Sequence, residues 1–115
     1  MQLNLEHREN VVICTVEGDL DASNYSELVD LASAEIEAGR PRVVLGLSKM
    51  DYIDSSGLGA LVKLLKKSRL ASGDTKLTGL KPEVRKVFEL THLDKIFDIF
   101  PEVDAAVAHY MATKP

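Results

Sequence analysis

An α/β fold built on one mixed sheet is predicted by three observations. Short apolar runs that suit strands alternate with longer segments whose apolar residues recur at helical spacing. The first two runs are separated only by His7-Arg8-Glu9-Asn10, a polar link that favours an antiparallel hairpin. From the second run onward strand and helix alternate, which implies right-handed crossovers and parallel pairing. The predicted order is β-β-α-β-α-β-α-(β)-α, a mixed four- to five-stranded sheet with helices packed against it.

Leu3 and Leu5 alternate with Gln2, Asn4 and Glu6, as an edge strand would. Val11 to Val16 is rich in β-branched residues and predicts a buried strand, ended by Glu17-Gly18. Asp19-Leu20-Asp21-Ala22-Ser23-Asn24 forms a loop leading to a helix. Tyr25, Leu28, Val29, Leu31, Ala32 and Ile36 give that helix an apolar face, and Gly39 and Pro41 stop it. Val43 to Leu47 is apolar throughout and too short for a helix, so it predicts a central strand covered on both faces. Ser48-Lys49-Met50-Asp51 is turn-like. A second helix is predicted from about Ser56 to Leu70. Leu58, Leu61, Val62, Leu65 and Leu70 would face inward, and Lys63, Lys66 and Lys67 outward. Ser72-Gly73-Asp74 ends it, and Thr75 to Thr78 is a short strand. Lys81-Pro82-Glu83 opens a third helix with proline near its first position, pointing Val84, Val87 and Phe88 inward. Ile96, Phe97 and Ile99 suggest a last edge strand. Pro101 opens a final helix carrying Val103, Ala106, Val107, Tyr110 and Met111.

Composition bounds the function. The 115 residues suit one domain, 1–115, with one core. An apolar fraction of 45% with 28% charged residues is that of a globular chain. A net charge of −4 gives no general attraction to nucleic acid. Cys14 is the only cysteine, which excludes an intrachain disulfide and a multi-cysteine metal site; its neighbours Ile13 and Val16 predict a buried thiol. The N-terminus lacks the apolar core of a signal peptide. No apolar run approaches the ~20 residues that span a bilayer. The expectation is a cytoplasmic protein without a membrane or nucleic-acid partner.

The chemistry concentrates in Asp54-Ser55-Ser56-Gly57-Leu58-Gly59, where a strand hands over to a helix. Free N–H groups and the helix dipole favour negative charge there, so a phosphate on a serine would be accommodated. Ser55 fits either a helix N-cap, a role worth about 1 kcal/mol, or a phosphoacceptor. Ser56 is the rival acceptor, or a residue of the first helical turn. Asp54 would cap the helix, orient the acceptor hydroxyl, or hold a metal carried in with a nucleotide. Gly57 and Gly59 would serve a tight turn or admit a partner's backbone. Asp19 and Asp21 suit a turn or a second binding element. A calcium loop starting at Asp19 is disfavoured, because Asn24 stands where glycine is needed and Asp30 replaces the bidentate glutamate. Lys63, Lys66 and Lys67 form a solvated face or steer an acidic partner. His7, His92 and His109 show no ligand spacing.

Known catalytic patterns fail on these residues. A nucleophile elbow needs G-x-S-x-G, but Ile53 stands two before Ser55 and Asp54 two before Ser56. A Walker loop needs Gly-Lys-Ser/Thr, and Gly59 is followed by Ala60-Leu61. A phosphoaspartate receiver would not open with a hairpin. No cofactor and no enzymatic activity are expected.

The order of elements, with Gly18-Asp19-Leu20-Asp21 after the second strand and the serine motif after the third, resembles the STAS domain family. The closer likeness is to bacterial anti-sigma factor antagonists, which Leu90-Thr91-His92-Leu93-Asp94-Lys95-Ile96-Phe97 also resembles. The resemblance covers nearly the whole chain. It implies partner switching. The unphosphorylated protein would bind an anti-sigma factor that is also a serine kinase, and so free a sigma factor. Phosphorylation on Ser55 would end that contact, and a serine phosphatase would restore it. Asp19, Asp21, Asp54, Ser56, Gly57, Leu58 and Gly59 are the implied partner-binding residues, and a monomer suits the exchange. One departure is Gly46, where many relatives carry Asp or Asn; looser packing is expected there. The alternative within the family is a scaffold or subunit of another signalling or transport assembly.

Overall fold

The apolar runs pair into one five-stranded sheet in the order β1-β2-β3-β4-β5. The computed structural model describes residues 1–112. Its strands are β1 (Gln2–Arg8), β2 (Val11–Glu17), β3 (Arg42–Lys49), β4 (Asp74–Thr78) and β5 (Ile99–Phe100). The helices are α1 (Tyr25–Glu37), α2 (Ser55–Leu70), α3 (Pro82–Leu90) and α4 (Val103–Ala112), with a 3-10 turn at Leu93–Lys95. The hairpin is antiparallel, with Leu5 opposite Cys14; the other three pairings are parallel. The mixed sheet expected from the order of elements is therefore present, with five strands.

Alternation along β2 and β3 sends side chains to two cores. Cys14, Val16, Val43, Leu45 and Leu47 meet α1, α2 and α3 through Leu28, Ala32, Leu61, Leu64 and Phe88. Val11, Ile13 and Val44 meet α4 through Ala106, Val107 and Tyr110. β3 is thus covered on both faces, as its unbroken apolar run requires. Burial pushes the Cys14 thiol up to about 11, which leaves it protonated and inert near neutral pH.

Gly46 does not loosen the sheet. It is buried beneath the start of α4, where an added Cβ would stand 3.4 Å from Val103 Cγ2 and 3.5 Å from Thr15 Oγ1. The departure from the family pattern fits the close seating of this helix.

Several element limits differ from the sequence reading. β3 runs on through Ser48 and Lys49, and Met50 is fully buried. Leu64 joins the inward face of α2, whereas Leu70 is 89% exposed. Leu70 lies five residues past Leu65, about 140° round the helix, which turns it off the buried stripe. Tyr25 and Met111 lie at helix ends and are exposed. The last strand starts at Ile99, after the 3-10 turn; Phe97 precedes it and packs edge-on against Phe88 at 5.9 Å between ring centroids.

A polar group lies under α4. Lys76 is buried on β4, and its Nζ donates to Asp98 Oδ2 at 2.9 Å and Asp74 Oδ2 at 3.2 Å. The Tyr110 ring lies 4.7 Å from that ammonium, and the Tyr110 hydroxyl, 2.9 Å from Val43 O and 2.7 Å from Asp74 O, donates to this carbonyl pair. The Lys76 ammonium holds the Asp98 carboxyl below its ordinary range. The resulting stabilisation is present above the unfolded carboxylate value of ~3.9 and is lost as pH falls through the lower folded value. Lys76→Met should therefore flatten the acid limb of stability between about pH 5 and pH 2, as read by urea melts across that window.

Candidate functional site

Parallel pairing of β2 and β3 brings the loops that follow them to the same end of the sheet. These two loops, 18–24 and 50–54, zip together through their backbones. Gly18 N donates to Lys49 O at 3.0 Å, Leu20 N to Tyr52 O at 3.1 Å, and Asp54 N to Leu20 O at 3.3 Å. Leu20 and Ile53 pair as an isolated parallel bridge, and both side chains are buried. The ends of open α/β sheets where strands finish are where such folds place their sites.

Asp54 fastens this end. It is the N-cap of α2, its Oδ1 accepting from Gly57 N at 2.9 Å. Its Oδ2 accepts from Ala22 N at 3.1 Å, in the other loop. One carboxylate therefore caps the helix and ties the two loops together. Of the roles considered for Asp54, the cap is the one this geometry displays, and each of its oxygens accepts one backbone N–H.

With the cap supplied by Asp54, Ser55 becomes the first residue of α2 rather than its cap. Ser55 is exposed, and its hydroxyl makes no hydrogen bond among the described residues. The N–H groups of Ser55 and Ser56 likewise meet no acceptor there. Ser56 and Leu58 are half-buried.

The two glycines of the motif separate. Gly57 is buried, and a Cβ on it would fall 2.6 Å from Leu20 O and 2.7 Å from Ile53 Cγ1. Gly57 thus lets α2 sit against the neighbouring loop, and it is buried in the isolated chain. Gly59 is exposed and helical, and a Cβ there would meet nothing within 4 Å.

Asp19 is exposed beside this end. Asp21 Oδ1 accepts from both the N–H and the hydroxyl of Ser23, at 2.9 and 2.5 Å. The Ser23 hydroxyl, with its N–H, holds the Asp21 carboxyl below its ordinary range. Asn24 closes the loop: its Oδ1 accepts from Asp21 N at 3.0 Å and its Nδ2 donates to Asp19 O at 2.9 Å. Asp51 pairs with Lys81 at the start of α3, which raises the lysine's pKa. Among the described residues, the carboxylates at this end of the sheet that form no ion pair are therefore Asp19, Asp21 and Asp54. Sequence reasoning missed Ala22 and Leu20, which act through backbone atoms, and Tyr25 and Tyr52, which stand 40% and 54% exposed beside the site. A backbone donor leaves no mark in a residue pattern.

Residues 2–106 match the family model described as the STAS domain, and the chain belongs to this family. Among its relatives is BtrV of Bordetella bronchiseptica, a candidate anti-sigma factor antagonist. The two are 32% identical over 115 residues, covering 100% of this chain and 99% of that one. The anti-sigma F factor antagonist of Paenibacillus polymyxa is 30% identical over 108 residues, with 91% of this chain and 92% of that one covered. A crystal structure of a candidate anti-sigma factor antagonist from Thermotoga maritima superposes with a TM-score of 0.88 at 27% identity, covering 93% and 92% of the two chains. No helix among the described residues is long and apolar enough to cross a membrane.

The geometry separates structural from presenting residues. Asp54→Ala should cost roughly 1–2 kcal/mol through loss of the cap and the loop tie. Gly57→Ala should cost roughly 1–3 kcal/mol by overpacking against Leu20. Ser55→Ala should stay within about 0.5 kcal/mol of the parent. Urea melts of the three variants check the ranking.

Proposed function

We infer that this chain is an anti-sigma factor antagonist whose partner contact is gated by phosphate on Ser55. The unphosphorylated form binds an anti-sigma factor that is also a serine kinase, and so frees a sigma factor. The kinase modifies Ser55 with ATP, and a serine phosphatase reverses the change. The chain itself is binder and substrate and catalyses nothing. The observation that carries this reading is the free, exposed Ser55 hydroxyl at the start of α2, in a chain whose relatives are named as antagonists.

Electrostatics supports the gate. A phosphoserine adds about −1.5 to −2 charge at neutral pH. That charge arrives beside Asp19, Asp21 and Asp54, in a contact that must be desolvated on docking. The fold would be kept, because neither the cap nor a core contact uses Ser55.

The anti-sigma factor kinase of the same cell, purified and supplied with ATP, tests the reading. Mass spectrometry should place the phosphate on Ser55, with the far-UV dichroism of the product unchanged. Ser55→Ala should block modification and keep binding, while Ser55→Asp should weaken binding by about tenfold or more, a change of 1.4 kcal/mol. Modification at another residue, or equal affinity for the parent and Ser55→Asp, would remove the reading.

A further inference from the structure

Gly59 has no role inside the fold. It lies in α2 with ordinary helical backbone, it is exposed, and a side chain there would enter open space. Glycine is the least favourable helix residue after proline, so on fold stability alone the position should hold another residue. Gly57, two residues earlier, shows the contrast, since there a Cβ collides with Leu20 O.

Helical spacing gives Gly59 an external partner. Ser55, Gly59 and Lys63 fall at i, i+4 and i+8, so they stack on one exposed face of α2, each about 6 Å along the axis from the last. Serine is short. To be modified, its Oγ must come within about 3–3.5 Å of the phosphorus. The helix backbone must therefore enter the mouth of the kinase. One turn beyond Ser55, bulk on this face would tend to hold the two surfaces apart, and glycine adds none. Lys63, one turn further, forms no ion pair among the described residues and presents a free cation.

Resting on the reading above, we propose that a main-chain segment of the kinase lies directly on Gly59, with an acidic side chain of that segment meeting Lys63. Gly59 is the steric gap that lets Ser55 reach the nucleotide. In the transfer, Ser55 Oγ bonds to the γ-phosphorus of ATP, the bond to the bridging oxygen breaks to release ADP, and the hydroxyl proton passes to a base on the kinase. Gly59 takes no part in those bonds; it sets the distance at which they form.

The test uses the full chain with the same purified kinase and ATP, and the variants Gly59→Ala, Gly59→Leu and Lys63→Glu. Urea melts should show both Gly59 variants at least as stable as the parent, because both residues favour helix and neither meets a neighbour. Binding and the rate of Ser55 phosphorylation should nevertheless fall with side-chain size, by several-fold for alanine and about a hundredfold for leucine. Lys63→Glu should weaken binding about tenfold, most at low salt. Parent-like binding and modification of Gly59→Leu would overturn the close approach, and an unaffected Lys63→Glu would overturn the acidic contact. Either result, with the parent still phosphorylated on Ser55, leaves the antagonist reading intact. A parent that is not phosphorylated on Ser55 removes both.

Discussion

The site depends on the two hydrogen bonds of the Asp54 carboxylate. One oxygen satisfies Gly57 N inside the first turn of α2, and the other satisfies Ala22 N in the facing loop. Two short loops with no other side-chain tie of this kind among the described residues are thereby held as one surface. Gly57 completes the arrangement by letting the helix start against Leu20 and Ile53. Because a side chain outside the helix caps it, the first helical residue is left with its hydroxyl unused. A capping serine would have its oxygen committed to the backbone, and esterifying it would disrupt the helix start. Division of labour between Asp54 and Ser55 avoids that conflict.

The rest of the molecule supports this end without sharing its chemistry. α1, α2 and α3 share one face of the sheet, while the buried lysine and its carboxylates lie under α4 on the other. Charge is also divided along the chain. Residues 1–62 carry eleven Asp and Glu against four Lys and Arg, and residues 63–96 carry nine Lys and Arg against four Asp and Glu. The acidic loops around Ser55 and the basic length of α2 therefore offer a partner two signs of potential. Such a pattern fixes orientation and encounter more than it adds affinity.

The fold was legible where the pattern was strong. Val11 to Val16 and Val43 to Leu47 could only be buried strands, and Pro82 marked the start of α3. The strand at the far edge was misplaced because Ile96, Phe97 and Ile99 read as one apolar run. Phe97 instead fills the core beside Phe88, the 3-10 turn uses up the preceding residues, and only Ile99–Phe100 pairs with β4. Leu70 was assigned inward by composition, although its angle on the helix turns it outward. At the site, the motif located Ser55 and Asp54, but the contrast between Gly57 and Gly59 was invisible. Whether a glycine is needed by its own fold depends on what a Cβ would touch, and that is a property of packing across elements rather than of spacing.

Under the proposed gate, the placement of Ser55 would let one modification change binding and spare the fold. A phosphate there lies near unused N–H groups and the positive end of the helix dipole, an environment worth about 0.3–1 kcal/mol to a negative charge at an exposed site. The free, folded protein therefore tolerates the modified state. Docking would reverse the balance. A partner that covers the helix start strips water from a nearly dianionic group, and Asp19, Asp21 and Asp54 provide no cation to replace it. The penalty would fall on the complex alone, since the isolated chain keeps its solvent. This selectivity would follow from a hydroxyl that is exposed in the isolated chain and buried in the proposed contact. A serine already buried would have unfolded the protein when phosphorylated, and one remote from the contact would have had no effect on it.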